Sequence, residues 1–204
     1  MLQSFRTRSL LEATRKVIAE EGFDAVTMER VGAEAGMTKG AIYLYFRNKD
    51  HLIMDAIEEM ASEMLRKIQA RVDPKAPPWE RLCQTVQAQL DIMEEQTDLL
   101  RALLLDRRLL RDSPRGKQAQ RLLKYRERHE GRLKKFLDEG IKQKIFPAMD
   151  TALAAFYINE MTISTAVRRM IGRSANSLER DTRDLIGFIG ILRRKSAKLA
   201  VLER

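Results

Sequence analysis

Apolar residues return every three or four positions along most of this chain, and few residues interrupt them. One stripe reads Ile53, Ala56, Ile57, Met60, Met64 and Ile68; a later one reads Leu82, Val86, Leu90 and Met93. That spacing gathers side chains on one face of a helix, and no stretch alternates convincingly with the period of two that a half-buried strand needs. Composition agrees. Ala, Leu, Arg, Lys and Glu dominate, aromatic residues make up 6%, and 204 residues hold only 10 Gly and 5 Pro. This balance favours helix over a sandwich, a barrel or a large parallel sheet. The fold class expected is all-α.

Punctuation divides the stripes into about nine helices. Gly22 stops the first, over 5–21. Thr27 caps a second that Gly36 ends, and Thr38 caps a short third through about Phe46. Asn48 opens the fourth. Asp73-Pro74-Lys75-Ala76-Pro77-Pro78 is the strongest breaker in the chain. Helices then follow over about 79–96, 98–111, from Ser113-Pro114 to about Lys144, and from Asp150 to about Arg173. Asn176 with Glu179 fits a capping box for the last.

Several function classes are excluded early. One cysteine, Cys83, cannot form an internal disulfide or a CxxC metal site, and His51 and His129 are too far apart for an HExxH pair. Gly116-Lys117 lacks the rest of a phosphate loop, and no GxGxxG or GxSxG occurs. Glu94 and Glu95 are adjacent, so on a helix they point apart. Neither a cofactor, a metal nor an enzymatic activity is expected. No N-terminal segment reads as a signal peptide, and the apolar run from Ile189 to Leu192 is too short to span a bilayer. The expected home is the reducing cytoplasm, away from membranes.

The net charge of +9 points to nucleic acid or another acidic partner, but it is unevenly placed. Residues 1–60 carry 8 Lys+Arg against 10 Asp+Glu, whereas residues 101–144 carry 15 against 6, an excess equal to that of the whole chain. A nucleic-acid site in the N-terminal part must therefore be a local patch, with Glu12, Glu20, Glu21, Glu58 and Glu59 turned away from it.

Residues 27–46 form two short helices joined by a tight turn. Val31, Ala35, Met37 and Ile42 fall where the two would face each other, and Gly32, Ala33 and Ala35 allow close approach. The outer side of the second offers Thr38, Lys39, Gly40, Tyr43 and Tyr45. By spacing alone this is a helix-turn-helix that reads DNA or an ordinary helical hairpin.

The stretch from Gly22 to Leu52 closely resembles the N-terminal domain of TetR-family repressors. The features shared are Thr27 at a helix start, Ala35-Gly36, Lys39-Gly40, Tyr43, Tyr45-Phe46 and Lys49. The similarity is continuous from about Arg6 to Ile57, with Gly32 where the family pattern has alanine. The resemblance implies an all-α homodimer, with a three-helix DNA-binding domain (1–47) and a larger domain (48–204) that binds a small ligand and dimerises. At the matching positions, Thr27 would hold a phosphate with the backbone N–H groups of its helix start. Thr38, Lys39 and Gly40 would begin the recognition helix in the major groove. Lys39 has two readings, guanine O6/N7 or a phosphate; Tyr43 has three, a thymine methyl, a phosphate or helix packing. Tyr45 and Lys49 resemble backbone clamps, with packing the alternative for Tyr45. The partners implied are double-stranded operator DNA, a second copy of the chain and a small-molecule effector.

Two features of the larger domain bear on those partners. The last two helices have wide apolar faces, with Phe156, Ile163, Ala166, Val167 and Met170 on one. Leu178, Leu185, Ile189 and Leu192 line the other, widened by Ile186, Phe188 and Ile191. Either they complete one protomer's core, or two helices from each subunit close a four-helix bundle through Ile163, Val167, Leu185, Ile189 and Leu192. In the basic stretch, Arg126 and His129 fall in register with Ala119, Leu122, Leu133, Phe136 and Gly140. Polar groups on an inward face need partners. Either Asp106 or Glu160 supplies them, or a ligand does. In the second case the effector is an apolar molecule with an acidic head, among Leu103, Leu104, Leu122, Arg126, His129, Phe136 and Phe156.

Overall fold

The computed structural model describes residues 2–97 and 117–193, with side chains over 4–97 and 123–193. Among the described residues there are eight α-helices and no strand. They are α1 (Leu2–Glu21), α2 (Met28–Glu34), α3 (Lys39–Ile42), α4 (Lys49–Ala70), α5 (Pro78–Glu95), α6 (Lys117–Lys142), α7 (Thr151–Met170) and α8 (Leu178–Ile189). Short 3-10 turns occupy Phe23–Ala25 and Gly190–Arg193. The helix expected over 98–111 and the start expected at Ser113-Pro114 lie outside the described residues. None of the described helices is long and apolar enough to cross a membrane.

The chain divides into two compact units. The described parts of the first are residues 2–65, 95–97 and 117–125; those of the second are 66–94 and 126–193. The helix placed by the sequence at the start of the second domain, α4, runs in the first unit as far as Leu65. There Leu52, Ala56 and Ile57 are buried with Leu10, Val17 and Ile18 of α1, Val31 of α2, Ile42 of α3 and Phe46.

The capping residues do what their types suggest. Thr27 Oγ1 accepts from the Arg30 N–H at 3.0 Å, Thr38 Oγ1 from Ala41 N–H at 3.3 Å and Asn48 Oδ1 from His51 N–H at 2.9 Å. Gly36, at φ 65°, ends α2 in the left-handed region that glycine enters without strain. The Met37 N–H then returns to Gly32 C=O at 2.8 Å and the Gly36 N–H to Ala33 C=O at 3.2 Å. α3 is shorter than expected. Its α-helical hydrogen bonding covers four residues, and Tyr43–Tyr45 continue as turns.

In the second unit the core gathers Leu82, Val86 and Leu90 of α5, Leu133, Phe136 and Leu137 of α6, Ala155 and Ile158 of α7, and Leu185 and Ile189 of α8. The turn into α8 corrects one expectation. Ser177, not Asn176, is the N-cap, accepting from the Arg180 N–H at 3.2 Å. The Asn176 amide is taken by the buried carboxylate of Asp181, 3.0 Å away. Asp181 also accepts from Ser174, Arg168 and Arg169. Burial alone would raise its pKa; bonds from Ser174, Asn176 and Arg169, with the Arg168 charge, outweigh that and hold it at about 2.

The α2–α3 contact tolerates no added atom. A Cβ on Gly32 would sit 2.8 Å from Ile42 Cδ1 and 2.8 Å from the Met37 carbonyl oxygen. Gly32→Ala should therefore destabilise the chain by about 1–3 kcal/mol although alanine favours helix. A fall in the urea midpoint checks this; an unchanged or raised midpoint refutes the close contact.

Candidate nucleic-acid interface

The α2–α3 hairpin exposes a set of polar side chains. Thr27, Thr38, Lys39, Gly40, Tyr43 and Lys49 are all exposed, and Tyr45 is half-buried. A cleft of about 300 Å³ is lined by Thr27, Met28, Glu29, Tyr43, Arg47, Asn48 and Lys49. It brings together three residues named from the sequence, Thr27, Tyr43 and Lys49. Thr38, Lys39 and Gly40 form the neighbouring start of α3, and Tyr45 does not line the cleft.

Four residues at this face escaped the sequence reading. Arg47 and Asn48 complete the cleft wall, and Leu44 is 80% exposed. The Arg47-Asn48-Lys49 run was a visible basic cluster, and an apolar residue outside the helical stripe was a visible oddity. Glu29 is the fourth. Its carboxylate pairs with the Lys39 ammonium across the hairpin, and nothing in the spacing announces that contact. The bond to Lys39 draws the Glu29 carboxyl below its usual range, and the reciprocal bond raises the Lys39 amine.

Other acids of this unit are held elsewhere. Arg30 spans Glu21 at 2.6 Å and Glu34 at 2.9 Å, Lys16 reaches Glu34 at 2.5 Å, and Arg15 reaches Glu63 at 2.7 Å. Arg47 and Lys49 have no ion-pair partner among the described residues. The cleft thus combines two uncompensated cations, two hydroxyls and an amide with one carboxylate, Glu29, whose charge is answered by Lys39. Chemically it suits a phosphate group beside a recognition helix.

The geometry is that of a helix-turn-helix DNA-binding domain. Residues 10–56 match the family described as bacterial regulatory proteins, tetR family, and residues 75–167 match the tetracyclin repressor-like C-terminal domain. The chain belongs to the TetR family of transcriptional regulators, which are not enzymes. The fatty acid metabolism regulator protein of Bacillus subtilis is 22% identical over 74% of this chain and 83% of its own length. The HTH-type transcriptional regulator YerO of the same organism is 29% identical over 53% of this chain, a match spanning 38% of its own length. Among solved structures, the transcriptional regulator FadR from Bacillus subtilis in complex with stearoyl-CoA superposes with a TM-score of 0.76 at 21% identity, covering 89% of this chain and 96% of that one.

The second unit holds the remaining named residues. Leu103, Leu104 and the Leu122 side chain lie outside the described residues, as does Asp106. Arg126 Nε donates to Glu130 at 2.9 Å, its Nη2 bonds Glu160, and its guanidinium lies 5.4 Å from the Phe156 ring centre. His129 is buried, with Nε2 2.9 Å from Gln89 Oε1. The Gln89 amide donates to Asn159 at 3.1 Å, and the Asn159 amide to Glu130 at 3.1 Å. The order of donors makes Nε2 the protonated nitrogen and leaves Nδ1 an acceptor without a partner. Both polar residues thus have protein partners, Glu160 among them. Phe136 is buried under the Arg81 guanidinium, and Phe156 is exposed. Burial pushes the Cys83 thiol up to about 11, so it is protonated at neutral pH.

On the α7 and α8 faces, Ile163, Val167 and Leu192 are half-buried, whereas Leu185 and Ile189 are buried within the protomer. Leu153, Tyr157, Phe188 and Ile191 face outward around an apolar groove of about 590 Å³.

Burial, helped by the Arg132 charge, lowers the His129 pKa to about 4 from a model-peptide value of 6.5. The unfolded chain then binds more protons between those values, so stability rises with pH through that window and is lost as pH falls through it. The loss should be on the order of 2–3 kcal/mol between pH 6.5 and 4. His129→Gln should flatten that slope. Equal pH slopes of the unfolding free energy in the two proteins would refute a neutral buried His129.

Proposed function

We propose that this regulator is a homodimeric repressor that binds a palindromic operator, one recognition helix per half-site, and is released by a small-molecule effector. The functional division falls near residues 47 and 48, and the site of action is the cytoplasm. The observation that carries the DNA reading is the exposed start of α3 beside the cleft of Thr27, Tyr43 and Lys49. Thr38, Lys39 and Gly40 enter the major groove, while Thr27, Tyr45 and Lys49 hold the backbone.

The dimer reading rests on the outward apolar residues of α7 and α8. A groove flanked by exposed Leu153, Tyr157, Phe188 and Ile191 is costly in water, and a two-fold copy of the same face covers it. Ile163, Val167 and Leu192 border this contact, and buried Leu185 and Ile189 support it from within.

The effector reading is an apolar, fatty-acyl molecule with an acidic head. It is supported by similarity to a fatty acid metabolism regulator and to a FadR structure in complex with stearoyl-CoA. Phe136, Phe156, Arg126 and His129 are the residues assigned, with Leu103 and Leu122. Arg126 is held by two carboxylates, so an acidic head must compete with Glu160 for it. The effector shifts operator affinity only by its differential affinity for two protomer arrangements, typically about 1–3 kcal/mol.

Genomic footprinting with the purified chain would locate the operator and set up the test of the interface. Lys49→Ala should weaken operator and random DNA alike and reduce the salt slope by about 1. Tyr43→Ala should cost about 1–3 kcal/mol on the operator alone. Phe188→Glu with Ile191→Glu should give a folded monomer by sedimentation that has lost tight operator binding. If DNA binding survives all of these changes intact, the interface is misplaced.

Stearoyl-CoA tests the effector. It should release the operator, Arg126→Ala should blunt the release, and Glu160→Gln should sharpen it by freeing the guanidinium. Release that ignores both substitutions removes the acidic head from the reading.

A further inference from the structure

We infer that Glu29 is a base-reading residue, and that the Lys39–Glu29 ion pair reads one G·C base pair in the major groove as a unit. The inference rests on the DNA-binding reading above and goes beyond it, since Glu29 lies on α2 and not on the recognition helix.

Lys39 is the first residue of α3, and the first residues of a recognition helix reach base edges. The Glu29 carboxylate is bonded to the Lys39 ammonium, so it stands where the base edges will be. Both side chains are 56% exposed. Glu29 also lines the cleft with Thr27, Tyr43, Arg47 and Lys49, so a backbone phosphate held by those two cations fixes its height along the groove while Lys39 answers its own charge.

A carboxylate in this place has few tolerable neighbours. It accepts hydrogen bonds and donates none, and phosphates repel it. The major-groove groups that welcome it are the amino N–H groups of cytosine and adenine. An ammonium is the reverse, a donor that seeks acceptors. Along the edge of a G·C pair the order is N7 acceptor, O6 acceptor, then the N4 donor of cytosine. An ammonium over N7 and O6, beside a carboxylate over N4, matches that order. An A·T pair offers N7 acceptor, N6 donor, O4 acceptor and methyl. There the carboxylate over N6 is flanked by two acceptors, and the ammonium has either N7 alone, where a G·C pair gives it two acceptors, or O4, where the methyl group crowds it.

The pair also explains how an acid can sit on a DNA-binding face. On random DNA, Lys39 leaves Glu29 for a phosphate and strands the carboxylate beside other phosphates. At the matching base pair neither group loses its partner. Glu29 thus acts against wrong sites as much as for the right one.

In vitro selection from a random duplex library tests this with the full-length chain, Glu29→Gln and Lys39→Ala. The unaltered chain should enrich a palindrome with one fixed G·C pair in each half-site. Glu29→Gln should relax that pair or move it toward A·T, because a glutamine amide pairs with adenine N6 and N7. Its discrimination between the selected site and random duplex should fall about tenfold. Lys39→Ala should relax the same base pair, and this variant keeps the test open should Glu29→Gln fold poorly by circular dichroism. If Glu29→Gln selects the unchanged site with unchanged discrimination, Glu29 is only a helix-capping charge and the inference is overturned. Relaxation at two different base pairs overturns the reading as a unit. Enrichment of nothing by the unaltered chain overturns the DNA-binding reading itself, and this inference with it.

Discussion

The polar face of the helix-turn-helix depends on how closely α2 approaches α3. With no Cβ at Gly32, the Met37 carbonyl and the Ile42 side chain come within 2.8 Å of where one would be. That approach is locked by the αL turn at Gly36, whose neighbouring N–H groups close on Gly32 and Ala33. Everything on the polar face inherits its position from this contact. Thr27 caps α2 and Glu29 lies within it, Lys39 belongs to α3, and Tyr43 to the turn beyond. The cleft and the ion pair both draw on side chains from the two sides of this contact.

The second unit depends on a different device, a chain of polar side chains. Gln89 on α5 contacts His129 on α6 and Asn159 on α7, and Asn159 leads to Glu130 and so to Arg126 and Glu160. Three helices are thereby tied by directional bonds that a purely apolar core would lack. Each amide is oriented by its neighbour, so the network has one consistent order of donors. The unpartnered Nδ1 of His129 is the one place where that order ends in a lone pair. At the far end of α7, Asp181 performs a similar service, binding Arg168 and Arg169 to the turn that opens α8.

Much of this was legible in the sequence because it is local. Thr27, Thr38, Asn48 and Asp150 cap helices within three residues of themselves, and a stripe such as Leu82, Val86 and Leu90 states its own periodicity. What was not legible is long-range or competitive. Asn176 looks like a cap until Asp181 claims its amide, which leaves Ser177 to do the capping. Arg126 and His129 fall on an inward stripe, but only the packing of α5 and α7 brings Gln89, Asn159 and Glu160 to them. The apolar face of α8 is a case of excess. Its periodicity marks Leu185, Ile189, Phe188 and Ile191 alike, and only burial separates the first two, inside the protomer, from the last two, outside it.

The charge distribution, puzzling as a total, becomes coherent when the ion pairs are placed. A DNA-binding segment with 8 basic and 10 acidic residues has no net attraction for a polyanion. Charges act over about 10 Å in salt, however, so what matters is which ones share the DNA face. Glu21, Glu34 and Glu63 are occupied by Arg30, Lys16 and Arg15. Arg47 and Lys49 stand uncompensated at the cleft. Glu29 is the acid among the cleft-lining residues, and its partner is the first residue of α3. A face meant for strong, indiscriminate binding would hold no such carboxylate. On the proposed reading, placing it against Lys39 lowers the general attraction to phosphate at a base-reading position and leaves the cations at Arg47 and Lys49 free to anchor the backbone. That reading assigns affinity and selectivity to different side chains of the same small hairpin.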